Sequence, residues 1–563
     1  MNSVQHDDEI TQRTRQCTDI GATIRWLIPL FLIIAYCVIF SNLSILTKGR
    51  DGCGNICGEL NDANVYDQCG PHDMRNHPKL LIQRNIDKSW IIDYKCVDEC
   101  PLNSTDNLIQ CWENGNFLKH PNHLSSYGKK LNDFMRYMMT FRTGIGVYCA
   151  FTFLFSCILL ILLRFMSQAI IWVIPILLTF LLFLVSVIRV LAAFDSSADG
   201  IETSLFYYVG FFVILMCVCF KKVVLIAAIY SETAKVMMNI PWIIIVPIMT
   251  FIILTILIPA FLFASLLIET SGTFSLNTSD DGQFQLNSDD TIIMKVVRFL
   301  NILTFAWLAN FIIHCQHFIV AGSVTKWYFT GDKHGLAGLN GSSMFNLVRY
   351  HLGSVCFGSM AVPVMGLIHF GYRVFKCIKT ALTCCCNSQQ SQNDGQMFDP
   401  DDRIFGMYSR CAYILIDSHG TAFLDSGKKS YDLMFTNIGD VYWLKQLRDI
   451  LLLLNQVFVP FVGIFAGILV IDSKSNELTG ISPAVVDFTF TFLIAHCFFM
   501  SFGMTIDTIL LNFCIDWTEN DGDTKPYYMS DELKSIALKI RKNCGYKVTL
   551  RENDETVDEG MLD

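Results

Sequence analysis

The stretch Val236–Ile268 passes without one charged side chain. Comparable uncharged runs recur at Leu27–Thr47, Gly144–Leu163, Phe165–Ile188, Thr203–Phe220, Phe299–Thr325, Tyr350–Tyr372, Ile450–Ile471 and Phe488–Ile506. A water-soluble core has no need of so many. A bilayer does, because its hydrocarbon layer is about 30 Å thick and a spanning helix takes about 20 apolar residues. Helices are expected because an open strand in lipid leaves its backbone polar groups unsatisfied. The runs predict an all-α polytopic membrane protein. Pro29, Pro175, Pro247, Pro259 and Pro363 fall inside them, and bundles tolerate such kinks where neighbouring helices re-satisfy the backbone.

Composition agrees where it bears on class. Hydrophobic residues make up 52% of the 563-residue chain and charged residues 17%, against about 25% charged in ordinary soluble domains. The net charge is −9, and no basic stripe points to a nucleic-acid partner. The first apolar run follows Arg25 and is too long for the core of a secretory signal, so no cleavable signal peptide is expected.

A weaker apolar segment, Phe405–Phe423, contains Arg410, Asp417 and His419. It reads as a shielded crossing helix, a re-entrant segment or an interfacial helix. Counting it gives about ten transmembrane helices, and an even number places both termini on one side. Arg13, Arg15 and Arg25 mark that side as cytoplasmic. Lys221, Lys222 and Lys235 fit the scheme, whereas Arg373, Lys376 and Lys379 fall where simple alternation puts the exterior. The expected division is a cytoplasmic N-terminal segment 1–26, a first transmembrane helix 27–47, an extracellular disulfide-rich loop 48–142, a transmembrane transport bundle 143–512 and a cytoplasmic tail 513–563.

The first loop holds six cysteines, Cys53, Cys57, Cys69, Cys96, Cys100 and Cys111. A clustered even set in a polar extracellular loop reads as a disulfide framework, with 15 pairings open. The competing reading is zinc, because Cys53/Cys57 and Cys96/Cys100 share one spacing, with His72 and His77 between them. Sequons at Asn103 and Asn277 fall in loops assigned outside and are expected glycosylation sites; the sequon at Asn340 falls inside and should stay bare. Cys37, Cys149, Cys157, Cys217 and Cys219 lie in apolar runs as small hydrophobes. The triplet Cys384–Cys386 at a membrane edge is open to palmitoylation or is a reduced cluster.

Several segments together resemble the choline transporter-like family of solute carriers. They are "GNICG" at Gly54–Gly58, "CVDECP" at Cys96–Pro101, "KKVVLIAAIYSETAKV" at Lys221–Val236, "AGSVTKWYFTGDK" at Ala321–Lys333 and "VRYHLGSVCFGSM" at Val348–Met360. "SRCAYILI" at Ser409–Ile416 is similar to the family's "NRNAY" stretch, with Ser409 and Cys411 as departures. "AHCFFMSFGMTIDTILLNFCIDWTENDG" at Ala495–Gly522 and "KPYYMS" at Lys525–Ser530 are the most specific matches. The resemblance implies ten transmembrane helices, a glycosylated first extracellular loop, cytoplasmic termini, a plasma-membrane location and transport of choline or a related amine such as ethanolamine.

Choline's trimethylammonium head has no N–H to donate, so its site must offer aromatic faces, each worth about 0.5–2 kcal/mol. Aromatics inside spans with polar neighbours are therefore candidates for the substrate pathway: Tyr148, Tyr207, Tyr208, Trp307 with Asn310 on the same helix face, and Trp327. Each also reads as an ordinary interfacial anchor. Glu232 is a candidate for attracting the cation, or pairs with Lys235 on its own helix. Arg189 ends a span and is expected to snorkel. His314 and His317 share a helix face, and His496 sits mid-span. His317 and His496 are candidates for proton coupling, or else neutral histidines bonded within helix interfaces.

Asp516, Glu519 and Asp521 are expected to form a cytoplasmic exit that holds the tail. The full calcium-loop pattern is missing there, and no metal or other cofactor is expected. No P-loop suggests ATP-driven pumping, and no "GxSxG" elbow or zinc motif suggests an enzyme. Two alternatives to transport stand: a receptor or scaffold using the extracellular loop, and a lipid-modifying membrane enzyme built on His317, His496 and Asp507.

Overall fold

The structure is a computed structural model that describes residues 17–41, 43, 46, 48, 51, 55–61, 73–84, 92–100, 109–112, 126–193, 226–271, 273–278, 284–289, 291–330, 339–384, 400–438, 441–470, 483–520, 525–531 and 534–535. Among these residues, seven helices are long and apolar enough to cross a membrane. They lie in α1 (Ile20–Phe40), α3 (Arg142–Ala193), α5 (Ile245–Glu269, entered through a 3-10 turn at Pro241–Ile244), α6 (Ile292–Phe329), α8 (Leu352–Cys384), α12 (Val441–Val470) and α13 (Pro483–Glu519). The protein is a mostly helical, multi-pass membrane protein. The remaining helices are α2 (Ser126–Thr140), α4 (226–239), α7 (Leu339–Asn346), α9 (Pro400–Gly406), α10 (Ala412–His419) and α11 (Phe423–Ile438).

Two expected spans, Gly144–Leu163 and Phe165–Ile188, fall inside α3, and Met166 at the start of the second breaks the helix with φ −132° and ψ 31°. The expected span Thr203–Phe220 lies outside the described residues. Phe405–Phe423 does not form a crossing helix. It divides into the end of α9, an irregular turn and the eight-residue α10, which Gly420 closes in the left-handed region at φ 69°. Eight residues rise about 12 Å, well short of the hydrocarbon layer. Charges tie the segment to two helices: Arg410 pairs with Asp507 on α13, and Asp417 with Lys326 on α6.

The helices differ in what they face. Val459, Phe498, Phe502, Met504 and Leu511 of α12 and α13 are buried, because these helices are enclosed by their neighbours. Along α1, Phe31, Leu32, Val38 and Ile39 are exposed, as an apolar lipid-facing surface must be. At one end of α1, Thr18 and Asp19 dock on α8: Thr18 bonds His351 Nδ1 at 3.1 Å and Ser354 Oγ at 2.6 Å. Asp19 sits at φ 54° and accepts from Ser354 Oγ and the Phe423 N–H. At the other end, Tyr36 Oη and Ser271 Oγ are 2.7 Å apart.

The described residues of the first loop include an antiparallel sheet of order β2 (Ile92–Val97), β1 (Lys79–Arg84), β3 (Ile109–Trp112). Cys57 and Cys96 form a disulfide with Cα atoms 5.4 Å apart, and Cys100 is also disulfide-bonded. These three cysteines are therefore not zinc ligands. Cys111 lies on β3 opposite Leu81; Cys53, Cys69 and Asn103 lie outside the described residues. Asn277 is on β4 (Thr273–Thr278), paired in a hairpin with β5 (Phe284–Asp289) between α5 and α6. Asn340, on α7, donates from its amide to the Trp242 carbonyl at 2.7 Å.

Helix α2 is amphipathic. It buries Asn132, Met135, Tyr137 and Met138 and exposes Lys130 and Met139. Its apolar stripe joins Leu262 and Leu266 of α5 and Val486 and Phe490 of α13 in a second core cluster, so α2 covers one end of the bundle.

Candidate functional site

A hydrogen-bonded aromatic and polar cluster lies where α6 meets α8, α10 and α13, with α12 joining it through Gln456 on His496. His314 Nδ1 and Tyr413 Oη are 2.7 Å apart. The His314 and His317 rings meet edge-on at 5.4 Å. Tyr413 is flanked by Phe423 at 5.7 Å and Phe318 at 6.3 Å. On α8, a Cβ at Gly358 would overlap the Tyr413 hydroxyl and the Phe423 ring, so only glycine lets α10 and α11 approach this closely. Gln316 donates to the Cys497 carbonyl at 2.6 Å and to Ser501 Oγ at 2.8 Å. His496 and Gln456 are bonded at 3.1 Å. Three buried atoms here have no partner among the described residues: His317 Nδ1, Gln316 Oε1 and Asn455 Oδ1. Such orphans carry a desolvation penalty, and polar atoms of this kind mark internal routes in membrane proteins.

The candidates from sequence separate into different places. Trp307 is buried and donates from Nε1 to Ser359 Oγ at 3.1 Å, linking α6 to α8. Asn310 shares its helix but donates to its own helix at the Ala306 carbonyl. Trp327 is buried in the main core. Glu232 pairs with Lys235 at 3.6 Å on one helix, the local alternative foreseen for it. Tyr148 is buried where α3 packs on α12 at Gly467. Tyr207 and Tyr208 lie outside the described residues.

Sequence reading missed the largest charge cluster. Asp507, fully buried on α13, accepts from Arg410 Nε at 2.7 Å and from Arg448 Nη1. Asp449 accepts from both arginines, at 3.4 Å and 2.8 Å. Lys445 bonds Ser409 Oγ at 3.3 Å. The enzyme alternative grouped Asp507 with His317 and His496, yet its carboxylate is taken up by two guanidinium groups. The available signal was Arg448 just ahead of the run Ile450–Ile471 and Arg410 inside a hydrophobic stretch, both expensive unless paired.

Asp516 holds the tail. Its Oδ2 accepts from Tyr328 Oη at 3.2 Å and from the Tyr528 and Met529 N–H groups at 3.0 Å each. Trp517 stacks on Tyr527 at 5.5 Å. On the covered end of the bundle, Glu269 pairs with Arg298 at 2.7 Å, and Arg298 lies over the Tyr127 ring. Among the described residues no group of three His, Cys, Asp or Glu side chains could hold a metal.

Buried charges, polar orphans and aromatic faces line the inner sides of membrane-crossing helices, the kind of polar interior that solute-carrying membrane proteins contain. The plasma-membrane choline transporter family model matches residues 203–518. That span takes in the histidine–tyrosine cluster, the Arg410–Asp507–Arg448 cluster and Asp516, and the chain belongs to this family. Choline transporter-like protein 1 of Mus musculus is 23% identical over 94% of this chain and 93% of its own length. The Torpedo marmorata protein of the same name is 25% identical over 74% of this chain and 67% of its own. Choline transporter-like protein 2 of Pongo abelii is 31% identical over 42% of this chain and 35% of its own.

Proposed function

We propose that this chain carries choline, or a close amine such as ethanolamine, across the plasma membrane by alternating access. The observation that supports it most is the histidine–tyrosine cluster on enclosed helix faces. A methylated cation meets ring faces there at about 0.5–2 kcal/mol each, and its hydroxyl finds Ser, Gln or Tyr partners. The side-chain bonds of His314, Gln316 and His496 reach across helix interfaces, so rocking of α6 against α10, α12 and α13 breaks and remakes them one by one. Trp307, with Asn310, and Trp327 are assigned to the pathway, with Tyr148, Tyr207, Tyr208 and Glu232 at its approaches. His317 and His496 are the groups proposed to exchange a proton against the cation.

The same reading keeps 1–26 and 513–563 cytoplasmic, 48–142 extracellular with glycans on Asn103 and Asn277, and 143–512 as the transport bundle. It counts about ten membrane segments, the broken α9–α11 region included. The test is saturable uptake of labelled choline by purified protein in liposomes, repeated across a pH gradient. Uptake that falls on Trp307→Ala at equal protein density supports the route. Linear uptake overturns transport, and indifference to the gradient overturns histidine coupling alone.

A further inference from the structure

Six carboxylates among the described residues are buried: Asp51, Glu269, Asp417, Asp487, Asp507 and Asp516. Glu269, Asp417 and Asp507 have basic partners. Asp51 and Asp516 accept from N–H groups. Asp487 has neither. It is 9% exposed near the start of α13, and among the described residues the Tyr137 hydroxyl is the group that reaches its side chain, at 3.2 and 3.3 Å from the two oxygens.

A buried anion without a cation is costly, because protein dipoles must replace its hydration. The surroundings of Asp487 suit one kind of counterion. Tyr137 carries Phe141 at 4.7 Å. Tyr148 is buried on α3, and α3 packs directly against the helix that carries Asp487. A primary ammonium would seek several acceptors, and the phenols and apolar rings around Asp487 supply few. A quaternary ammonium has no N–H to satisfy, needs ring faces and one distant carboxylate, and leaves the Tyr137 bond to Asp487 in place.

We infer that Asp487, Tyr137 and Tyr148 form a recognition site for a trimethylammonium group at the α2-covered end of the bundle, separate from the histidine–tyrosine cluster. Asp487 supplies the counter-charge and the two tyrosines supply the ring faces. Helix α2, too polar and short to cross the membrane, caps the site through Tyr137, whose bond to Asp487 opens as the ligand enters and re-forms once it is bound. Burial, then the Asp487 carboxylate, push the Tyr137 phenol above its ordinary pKa, so it stays a donor throughout the physiological range. The inference rests on the transport reading for its ligand. The trimethylammonium group belongs equally to free choline and to a phosphocholine lipid head, and the experiment separates them.

Full-length protein is placed in vesicles of phosphatidylethanolamine and phosphatidylglycerol and assayed with labelled choline. Asp487→Asn is expected to raise KM about ten-fold or more while kcat changes less. It is also expected to erase the preference for choline over its uncharged isostere 3,3-dimethylbutan-1-ol as competitor. Tyr148→Phe keeps KM within about two-fold and Tyr148→Leu raises it, because only the ring face matters. Wild-type KM and discrimination in Asp487→Asn overturn the site, since a purely structural carboxylate alters folded yield and not discrimination. Should Asp487→Asn fail to fold, equal KM for the two Tyr148 variants overturns it instead. If wild type shows no saturable uptake, the transport reading fails. The site is then decided by whether tetramethylammonium raises the melting temperature of wild type and not of Tyr148→Leu. Phosphatidylcholine added to the vesicles competes with choline only if the lipid head also enters.

Discussion

Gly467 on α12 lies so close to Tyr148 on α3 that a Cβ there would overlap the Cδ1 and Cε1 atoms of the tyrosine ring. One turn earlier, Gly463 meets Thr152 in the same way. Lipid gives helices no hydrophobic reason to associate, so small residues that permit close packing do the work. Gly467→Ala is expected to destabilise by about 1–3 kcal/mol and lower the thermal midpoint in detergent. Tyr148→Ala in the same chain should recover part of that loss in a double-mutant cycle. Simple additivity would show that the two positions do not touch.

Removing Asp507 leaves Arg410 and Arg448 with the half-exposed Asp449 as their one shared anion among the described residues. Asp507→Asn should cost about 3–5 kcal/mol, while Arg410→Met, which leaves the Arg448 pair intact, should cost less. Melting curves of the two variants by size-exclusion fluorescence decide it, and equal midpoints would contradict the shared-anion geometry.

Tyr413→Phe keeps the ring against Phe318 and Phe423 but removes the partner of His314. With a buried Nδ1 left unsatisfied, the loss should be about 1–3 kcal/mol. A midpoint equal to wild type would mean that His314 has another partner.

Asp516→Ala releases the Tyr528 and Met529 amides. Hydrogen exchange at these two amides should speed up about ten-fold or more, while the centre of α13 stays protected. Unchanged protection at Met529 would show that ring stacking by Tyr527 and Tyr528 suffices to hold the segment.

The Cys57–Cys96 bridge closes a separation of 39 residues, for which chain entropy gives about 4 kcal/mol. Cys57→Ser with Cys96→Ser should therefore make the first loop readily cleaved by protease without altering the melting of the bundle. Wild-type resistance would locate the loop's stability in its sheet.

Hydropathy made the crossing helices legible, because the bilayer filters sequence by one property over a fixed length. The disulfide-bonded loop was legible from its cysteines, though the pairing of Cys57 with Cys96 was not. The tail's attachment at Asp516 was legible from turn-forming acidic residues and family likeness. Pairings across the bundle were hidden. Arg410 and Asp507 are 97 positions apart, and nothing local says which basic group a buried carboxylate will meet. Asp487 illustrates the same limit: as a lone acid at the edge of an apolar run it looks like a solvated helix end, and only the fold brings Tyr137 onto it from 350 residues away. Phe405–Phe423 misled because averaged hydropathy ignores the direction in which a charge is drawn.

The first crossing helix is moored to its neighbours by hydrogen bonds of Thr18 and Asp19 on one side and Tyr36 on the other, and Ile33 packs inward between them. Between the moorings, side chains such as Leu32 are bathed in acyl chains rather than neighbours. That stretch is a natural vantage for a spectroscopic probe. A spin label at Leu32 would report bilayer depth and fluidity from a side chain that the bundle leaves exposed.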